Sequence, residues 1–421
     1  MGETIIENAR NAWEHGVGDT PYDVVIVGAG ISGAILAKVL GSEGKRVLIL
    51  EAGTAQALTN YLDRLEDFYL SNTKDPESPY PNDPDAPEPS VLDIQNIQGT
   101  TPDTNGYFVQ MGPLPFGSTY TRTMGGTTLH WLGTCLRMLP EDFKIRTLYG
   151  QGLDWPISYD DLLNYYNLAE REIGVSADVR EQEYLGVHFT KDYVYPMFKI
   201  PQSYLDKTLA RGVRGMTVEL EGGTYPVDVT STPQGRNSMP NPAYAGGKGY
   251  TPAGATYNPD LGQRCDGNTS CVPICPIQAK YSALKTLIKT EAKQVDILTQ
   301  AVASRILFDK ASGRVTGIEY KAYADPASPV HKIGIAKGTV YALAAHAVEN
   351  AKLLQASGIT SRSGLIGKNL MDHPVLLTWG LAPEKVWAYR GPLSTSGIES
   401  LRGGKFRSRR AAFRVEIGND G

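Results

Sequence analysis

The chain has 421 residues, and its 41 basic against 45 acidic side chains leave a net charge of −4, so it lacks the electrostatic footprint of a nucleic-acid-binding protein. A hydrophobic share of 41%, with 45 Gly and 27 Pro, excludes disorder as the main description, and at ~100 to 200 residues per domain two or three structural units are expected. Four cysteines are too few for a disulfide scaffold, and three of them fall between Cys265 and Cys275, which points to metal or redox chemistry.

The first eighteen residues carry three acidic side chains and no apolar core, so they do not read as a secretory signal. From Tyr22 to Gly53 the chain reads as strand, glycine turn, helix and strand. The runs Asp23–Val27 and Arg46–Leu50 are the β-branched and aliphatic kind that lie covered on both faces of a parallel sheet. Val24–Leu40 is interrupted by Gly, Ser and Lys38 and is too short for a bilayer span, so no segment is expected to cross a membrane. Residues 54–106 turn to Pro, Asp and Asn clusters, a long connection that wraps the surface or covers a ligand. A 3.6-residue period over Asp160–Ile173, entered through Pro156 and Ser158, predicts an amphipathic helix. Residues 199–262 are rich in Gly, Pro, Thr and Tyr, with a strand-like piece at Met216–Leu220, and read as a separate, more irregular domain. A helix at 279–292, a strand at 295–299, a hairpin at 303–322, a strand at 338–345 and a helix at 348–357 restore the α/β pattern. One domain interrupted by another is implied.

Gly28, Gly30 and Gly33 form G-x-G-x-x-G between the first strand and its helix. There the backbone of Ile31, Ser32 and Gly33 and the helix dipole can approach a pyrophosphate. Glu51 ends the second strand where a carboxylate would accept the ribose hydroxyls of an adenosine. The alternative is a merely tight strand-to-helix turn. The place near the start of the chain and the run Glu51-Ala52-Gly53 fit FAD better than NAD. A second motif, Arg122 to Trp131, holds the pair Gly125-Gly126, which permits close backbone approach to a planar ligand, followed by His130 and Trp131. The third is C-x5-C-x3-C-P at Cys265, Cys271, Cys275 and Pro276. Three closely spaced thiolates suit an iron–sulfur cluster, one per iron in [3Fe-4S]. Zinc wants a fourth ligand, and no Cys or His lies between His188 and Cys265 or between Cys275 and His331. A zinc site completed by Cys135 or His188, unligated thiols, or a disulfide are the alternatives.

With these motifs the chain resembles the glucose-methanol-choline oxidoreductase family. The resemblance grows through 154–175, AAHAVENAKLLQASG at 344–358 and GKNLMDHP at 367–374. It implies an α/β fold in which a Rossmann-like FAD-binding domain is interrupted by an α+β substrate domain. FAD binding would occupy 20–155 and, after the substrate domain at 156–262, the stretch 263–375 together with the iron–sulfur loop. Residues 376–421 would return to the substrate domain. The same resemblance places Gly125 and Gly126 against the flavin, Val302 at the adenine and Ala344 among the cofactor contacts. It makes His130 a candidate for a histidyl–flavin linkage, beside a noncovalent contact or a structural histidine. His346 stands where the family has a small residue or Asn.

The cysteine spacing resembles the catalytic subunits of bacterial FAD-dependent glucose, fructose and sorbitol dehydrogenases, which carry a [3Fe-4S] cluster there. That subgroup implies oxidation of a CH–OH group of a sugar or polyol, a cytochrome c subunit as acceptor, and a small companion exported by a twin-arginine signal. Periplasmic placement follows by resemblance; without the companion the protein would be cytoplasmic. The family's catalytic His and its partner follow the GKNLMDHP segment at a distance, so the catalytic base is expected beyond Gly421 and the chain reads as truncated. An oxygen-using oxidase with unligated cysteines and a degenerate flavin-binding protein are the other readings. The basic run Arg402–Arg414 would dock an acidic partner or form a solvated face, and Asp372-His373 would do acid–base work or pack at a domain junction.

Overall fold

The computed structural model describes residues 5–55, 120, 122–254, 263–265, 267, 271, 275, 277–325, 328–371, 373–387 and 393–419. Most of the connection at 54–106 lies outside them. In chain order the main elements begin with β1 (Arg10–Asn11), β2 (Tyr22–Val27), α1 (Ile31–Ser42) and β3 (Val47–Leu50). Then come α2 (Tyr159–Ile173), α3 (Tyr204–Gly212), β4 (Thr217–Leu220), β5 (Gly223–Pro226) and β6 (Val229–Ser231). The series continues with α4 (Ala283–Ile288), β7 (Val295–Thr299), β8 (Ala301–Phe308), β9 (Val315–Ala322), β10 (Lys332–Ala336) and β11 (Gly338–Leu343). It closes with α5 (Ala347–Ala356), β12 (Ser394–Ile398) and β13 (Val415–Gly418). Among the described residues no helix is long and apolar enough to cross a membrane.

The chain divides into two units, the first comprising Met1–His130 with Ser282–Thr378, the second Trp131–Tyr281 with Trp379–Gly421. These boundaries differ from the expected ones. The first break falls at His130, before the helix pattern at 160, and the cysteine loop belongs to the second unit.

In the first unit five strands form a parallel sheet in the order β1-β7-β3-β2-β11. Strand side chains alternate between faces, and both faces are covered. Val24, Ile26, Val47, Ile49, Val295 and Ile297 pack with Ala34 and Ala37 of α1 and Leu284 and Leu287 of α4. Val25, Val27, Leu48, Leu50 and Leu298 face the other way, onto Ile306, Ile318 and Tyr320 of β8 and β9 and Leu353 of α5. This explains why β2 and β3 read as unbroken apolar runs; each such buried side chain contributes roughly 1.5–3 kcal/mol. A second sheet, β10-β9-β8, is antiparallel.

The second unit holds an antiparallel sheet in the order β13-β12-β6 and the hairpin β4-β5. Helix α2 starts in a capping box: Ser158 Oγ accepts from Asp161 N at 3.2 Å, and Asp161 accepts from Ser158 N at 2.8 Å. It stops at Gly174 in the left-handed conformation. Near its end Glu170 meets Arg137 in a bidentate pair, both bonds 2.7 Å, with side-chain exposures of 5% and 3%. The Arg137 guanidinium also stacks on Phe189 at 4.4 Å. Burial works against its charge, but the Glu170 bonds and charge outweigh that and hold its pKa above the ordinary value.

The helix expected over 279–292 is confined to α4. Its first residues are used elsewhere: Tyr281 N donates to Gly235 O and Asn237 N to Ala279 O, both at 2.8 Å, and Gln278 takes a positive φ of 50°. The expected hairpin, the strands near 295 and 338 and the helix at 348 are found as β8–β9, β7, β11 and α5.

Glu170→Ala strands a buried guanidinium and should cost about 3 kcal/mol or more, whereas Arg137→Met combined with Glu170→Leu should recover most of it. Denaturant midpoints of the three proteins check this; equal losses in both variants would contradict it.

Candidate functional site

The glycine turn follows β2 directly. Gly28 takes φ +102°, and its N–H donates to Leu50 O at 2.8 Å, while Ala344 N donates to Val27 O at 2.8 Å. A Cβ on Gly33 would stand 1.9 Å from Gly28 O, so only glycine lets α1 start this close to the turn. Helix α1 has no side-chain cap and no acidic residue in its first turn. The leading N–H groups of Ile31, Ser32 and Gly33 therefore keep their positive end for an anion. Among the described residues a Cβ on Gly30 would meet nothing within 4 Å, which leaves space over the helix start. An uncapped helix end beside open space fits the pyrophosphate of FAD.

Glu51 is 6% exposed, and both its oxygens are engaged: Oε2 accepts from Ala29 N and Oε1 from Gly53 N, each at 2.8 Å. Burial pushes its carboxyl up, opposed by the bonds from Gly53 and Ala29 and by Arg122. Beside the expected role as ribose acceptor, the carboxylate has a structural one. The carboxylate first ties the end of β3 to the glycine turn, with further lone pairs left for hydroxyls.

The second motif converges on the same turn. Gly125 N donates to Ala29 O at 3.2 Å, Met124 N to Thr54 O at 3.0 Å, and a Cβ on Gly126 would lie 3.5 Å from Gly30 Cα. Ala52 accepts from the Tyr323 hydroxyl at 2.8 Å. Ala301 N donates to Glu51 O at 2.9 Å, which sets half-buried Val302 beside the same strand end. His130, buried, closes the short 3-10 turn Gly126–Leu129, its N–H bonded to Thr127 O at 3.2 Å. Trp131 donates its indole N–H to Tyr281 O at 2.8 Å inside the second unit.

Sequence reasoning missed a neighbouring group. His346 caps α5, its Nδ1 accepting from Val348 N at 3.3 Å, and Tyr120 stacks on its ring with centroids 4.6 Å apart. The Tyr120 hydroxyl donates to Glu349 at 2.5 Å. Burial lowers the His346 pKa, with Glu349 opposing. The unusual histidine in that segment was the available signal.

In the second unit Cys271 is buried, and Cys265 and Cys275 are half-buried. Among the described residues no three His, Cys, Asp or Glu side chains gather around a point that would hold a metal ion. The loop is nevertheless stitched at both ends: Cys265 N donates to Asn237 O at 2.9 Å, Gln278 N to Cys275 O at 3.1 Å, and Lys280 Nζ to Cys271 O. Arg236 and Lys280, 2% and 5% exposed, bridge antiparallel beside it, and among the described residues Arg236 Nη1 is buried with no hydrogen-bond partner. Burial pushes the Cys265 thiol up, and Cys271 and Cys275 add to this while Gly267 and Arg236 oppose it. Burial pulls Lys280 down to about 8, against the pull of Cys275.

The zinc alternative finds no support among the described residues. His188 bonds Asp160 at 2.7 Å and Gly186 O at 3.0 Å, and Cys135 is half-buried, its thiol pushed up to about 12 chiefly by desolvation. The basic run is largely neutralised within the second unit: Arg407 pairs with Glu141 and Asp142, Arg409 and Arg410 with Glu221, and Arg414 with Glu399 and Glu416. Asp372 lies outside the described residues, and His373 is exposed.

Glu51→Ala leaves two buried backbone N–H groups unpaired, at roughly 1–3 kcal/mol each. The flavin-free variant should therefore melt several degrees below the flavin-free parent. An unchanged melting temperature with weakened flavin binding would restrict Glu51 to ligand contact.

A sequence profile described as GMC oxidoreductase matches residues 22–375. The chain is 33% identical over 408 residues to the fructose dehydrogenase large subunit of Gluconobacter japonicus, covering 94% of this chain and 66% of that protein. It is 24% identical over 373 residues to the 6'''-hydroxyparomomycin C oxidase of Streptomyces lividus, covering 86% and 56%. The chain thus spans less than two thirds of either relative. Among solved structures, pyridoxine 4-oxidase from Mesorbium loti matches with a TM-score of 0.42 at 19% identity, over 84% of this chain and 55% of that one. From the profile match across most of its length, the chain belongs to the GMC oxidoreductase family, whose members bind FAD.

Proposed function

We propose that the protein is the core of an FAD-dependent dehydrogenase that oxidises a CH–OH group of a sugar or polyol, delivering electrons by way of a [3Fe-4S] cluster on Cys265, Cys271 and Cys275 to a cytochrome. One observation carries the reading: a chain with the dinucleotide turn also holds three cysteines on a loop backed by two buried cations. The sugar class is supported by the similarity to a fructose dehydrogenase large subunit. That relative's being a large subunit supports a smaller companion; a periplasmic location belongs to the proposal by the resemblance alone. When bound, the flavin supplies hydride acceptance and the cluster one-electron outflow.

The chain's own residues have defined tasks in this reading. Ile31, Ser32 and Gly33 offer backbone N–H groups to the pyrophosphate, and Gly30 leaves it room. Glu51 holds the turn in shape and presents its remaining lone pairs to the ribose. Val302 and Ala344 border the adenosine side, Gly125 and Gly126 let the backbone approach the flavin ring, and His130 lies next to it. No residue of the chain is assigned as the base that takes the hydroxyl proton. A second reading, an oxygen-using oxidase, is favoured by the similarity to an oxidase over 86% of the chain.

Absorption spectra of the anaerobically purified full-length protein separate the two: flavin bands with a broad iron–sulfur shoulder for the dehydrogenase, flavin bands alone for the oxidase. Any single Cys→Ser change at 265, 271 or 275 should remove most iron and sulfide while FAD stays bound, and cytochrome reduction should collapse although substrate still bleaches the flavin. Retained iron in all three variants would reject the cluster. Acid precipitation tests His130: yellow precipitated protein that turns colourless in His130→Ala means a covalent linkage, and flavin released into the supernatant means a noncovalent contact.

A further inference from the structure

We infer that His346 is a further cofactor-binding residue, which donates its Nε2–H to the pyrophosphate of FAD from the side of the crevice opposite the glycine turn. The inference rests on the FAD site described above and deepens it, adding a side-chain contact where the glycine turn offers backbone alone.

The placement follows from the sheet. β2 leads through α1 to β3, its neighbour on one side, while β11 on its other side comes from much later in the chain. In an open parallel sheet the carboxyl ends of such a strand pair enclose the crevice where a dinucleotide lies. Val27 and Leu343 are register partners at the ends of β2 and β11, and three residues beyond each stands the residue that caps the next helix, Gly30 for α1 and His346 for α5. The two helices lie on opposite faces of the sheet, Ala34 and Ala37 of α1 in one core cluster and Leu353 of α5 in the other. The caps therefore flank one crevice, one of them bare and the other carrying an imidazole. The backbones leading to them are in contact: a Cβ on Gly28 would lie 2.8 Å from Ala344 O and 3.0 Å from Ala345 Cα.

The imidazole is held in one state. Nδ1 accepts from Val348 N at 3.3 Å, so it carries no proton, and the neutral ring bears its hydrogen on Nε2. Burial favours that neutral form, against the pull of Glu349. Tyr120 lies flat on the ring, with centroids 4.6 Å and planes 13° apart, and its hydroxyl is tied to Glu349. Among the described residues no group accepts from Nε2, and the atom is not sealed in the interior. A ring tied at one nitrogen and stacked on one face presents the other nitrogen to a ligand. An N–H aimed at an ionised phosphate oxygen makes a strong bond without a charge of its own.

The two ring nitrogens have separable tasks, and two substitutions in the full-length protein divide them. H346N keeps a good helix cap but loses the distal N–H, whereas H346Q keeps an N–H near the Nε2 position and loses the cap. The melting temperature of the flavin-free protein reads the cap; FAD affinity and the phosphorus NMR shifts of bound FAD read the donor. With a covalent flavin, His130→Ala supplies the background in which affinity is measured. H346N should melt near the parent, bind FAD about tenfold more weakly and displace a pyrophosphate resonance. H346Q should melt lower and keep FAD affinity near the parent's. Parental affinity with unmoved phosphorus shifts in H346N would overturn the inference. So would H346Q losing as much affinity as H346N, since the distal N–H would then count for nothing. A parent that binds no FAD removes the cofactor site and this inference together, whereas FAD in the parent with an unaffected H346N removes this inference alone.

Discussion

A single buried carboxylate holds the cofactor-facing end of the first unit together. Glu51 stands at the end of β3 and takes hydrogen bonds from Ala29, in the turn after β2, and from Gly53, where the chain leaves the sheet. Its own backbone is paired as well, its N–H with Leu298 O and its carbonyl with Ala301 N, both at 2.9 Å. Three stretches that are far apart in sequence, around Ala29, Glu51–Gly53 and Leu298–Ala301, therefore meet at one residue. The position of α1, the open space over Gly30 and the approach of Gly125 all depend on that knot. Ligand-facing N–H groups are useful only when they are fixed before the ligand arrives, and a satisfied buried carboxylate is a rigid way to fix them.

The second unit is built around polar groups of another kind. Arg137 and Glu170 form an ion pair that is complete: bidentate, stacked on aromatic rings and excluded from water. Arg236 and Lys280 are cations without a carboxylate among the described residues. The contrast is informative, because a fold that pairs one buried guanidinium so fully shows what a purely structural buried charge looks like here.

Legibility in the sequence followed local signal strength. Strands β2, β3 and β7 were readable because burial on both faces leaves continuous Val, Ile and Leu, and α2 because its apolar stripe, Ser158 cap and terminal Gly174 agree. The glycine turn and the cysteine array were readable as spacings. Strand β1 is two polar residues, Arg10 and Asn11, and carries no period. β12, Ser394–Ile398, is buried yet built of Ser, Thr and Gly, so neither alternation nor hydrophobicity marks it. The 279–292 helix was overextended because its first residues have helical composition but are drawn into bonds with Gly235 and Asn237. The partners of Glu51, the Arg137–Glu170 pair and the Tyr120–His346 stack are long-range contacts, for which one sequence offers no period to count.

The order of the parallel sheet also governs how this molecule is made. β2 and β3 lie at its centre and are complete by Leu50, but their outer neighbours, β7 and β11, begin at Val295 and Gly338. During synthesis the ribosome therefore releases two strongly apolar strands with bare hydrogen-bonding edges and must deliver the whole intervening unit before either edge is closed. Folding of the cofactor end is tied to late arrivals and is intrinsically slow, with an aggregation-exposed nascent state. Recombinant yield will be governed by chaperone supply and by translation rate through the intervening unit more than by the final stability of the sheet.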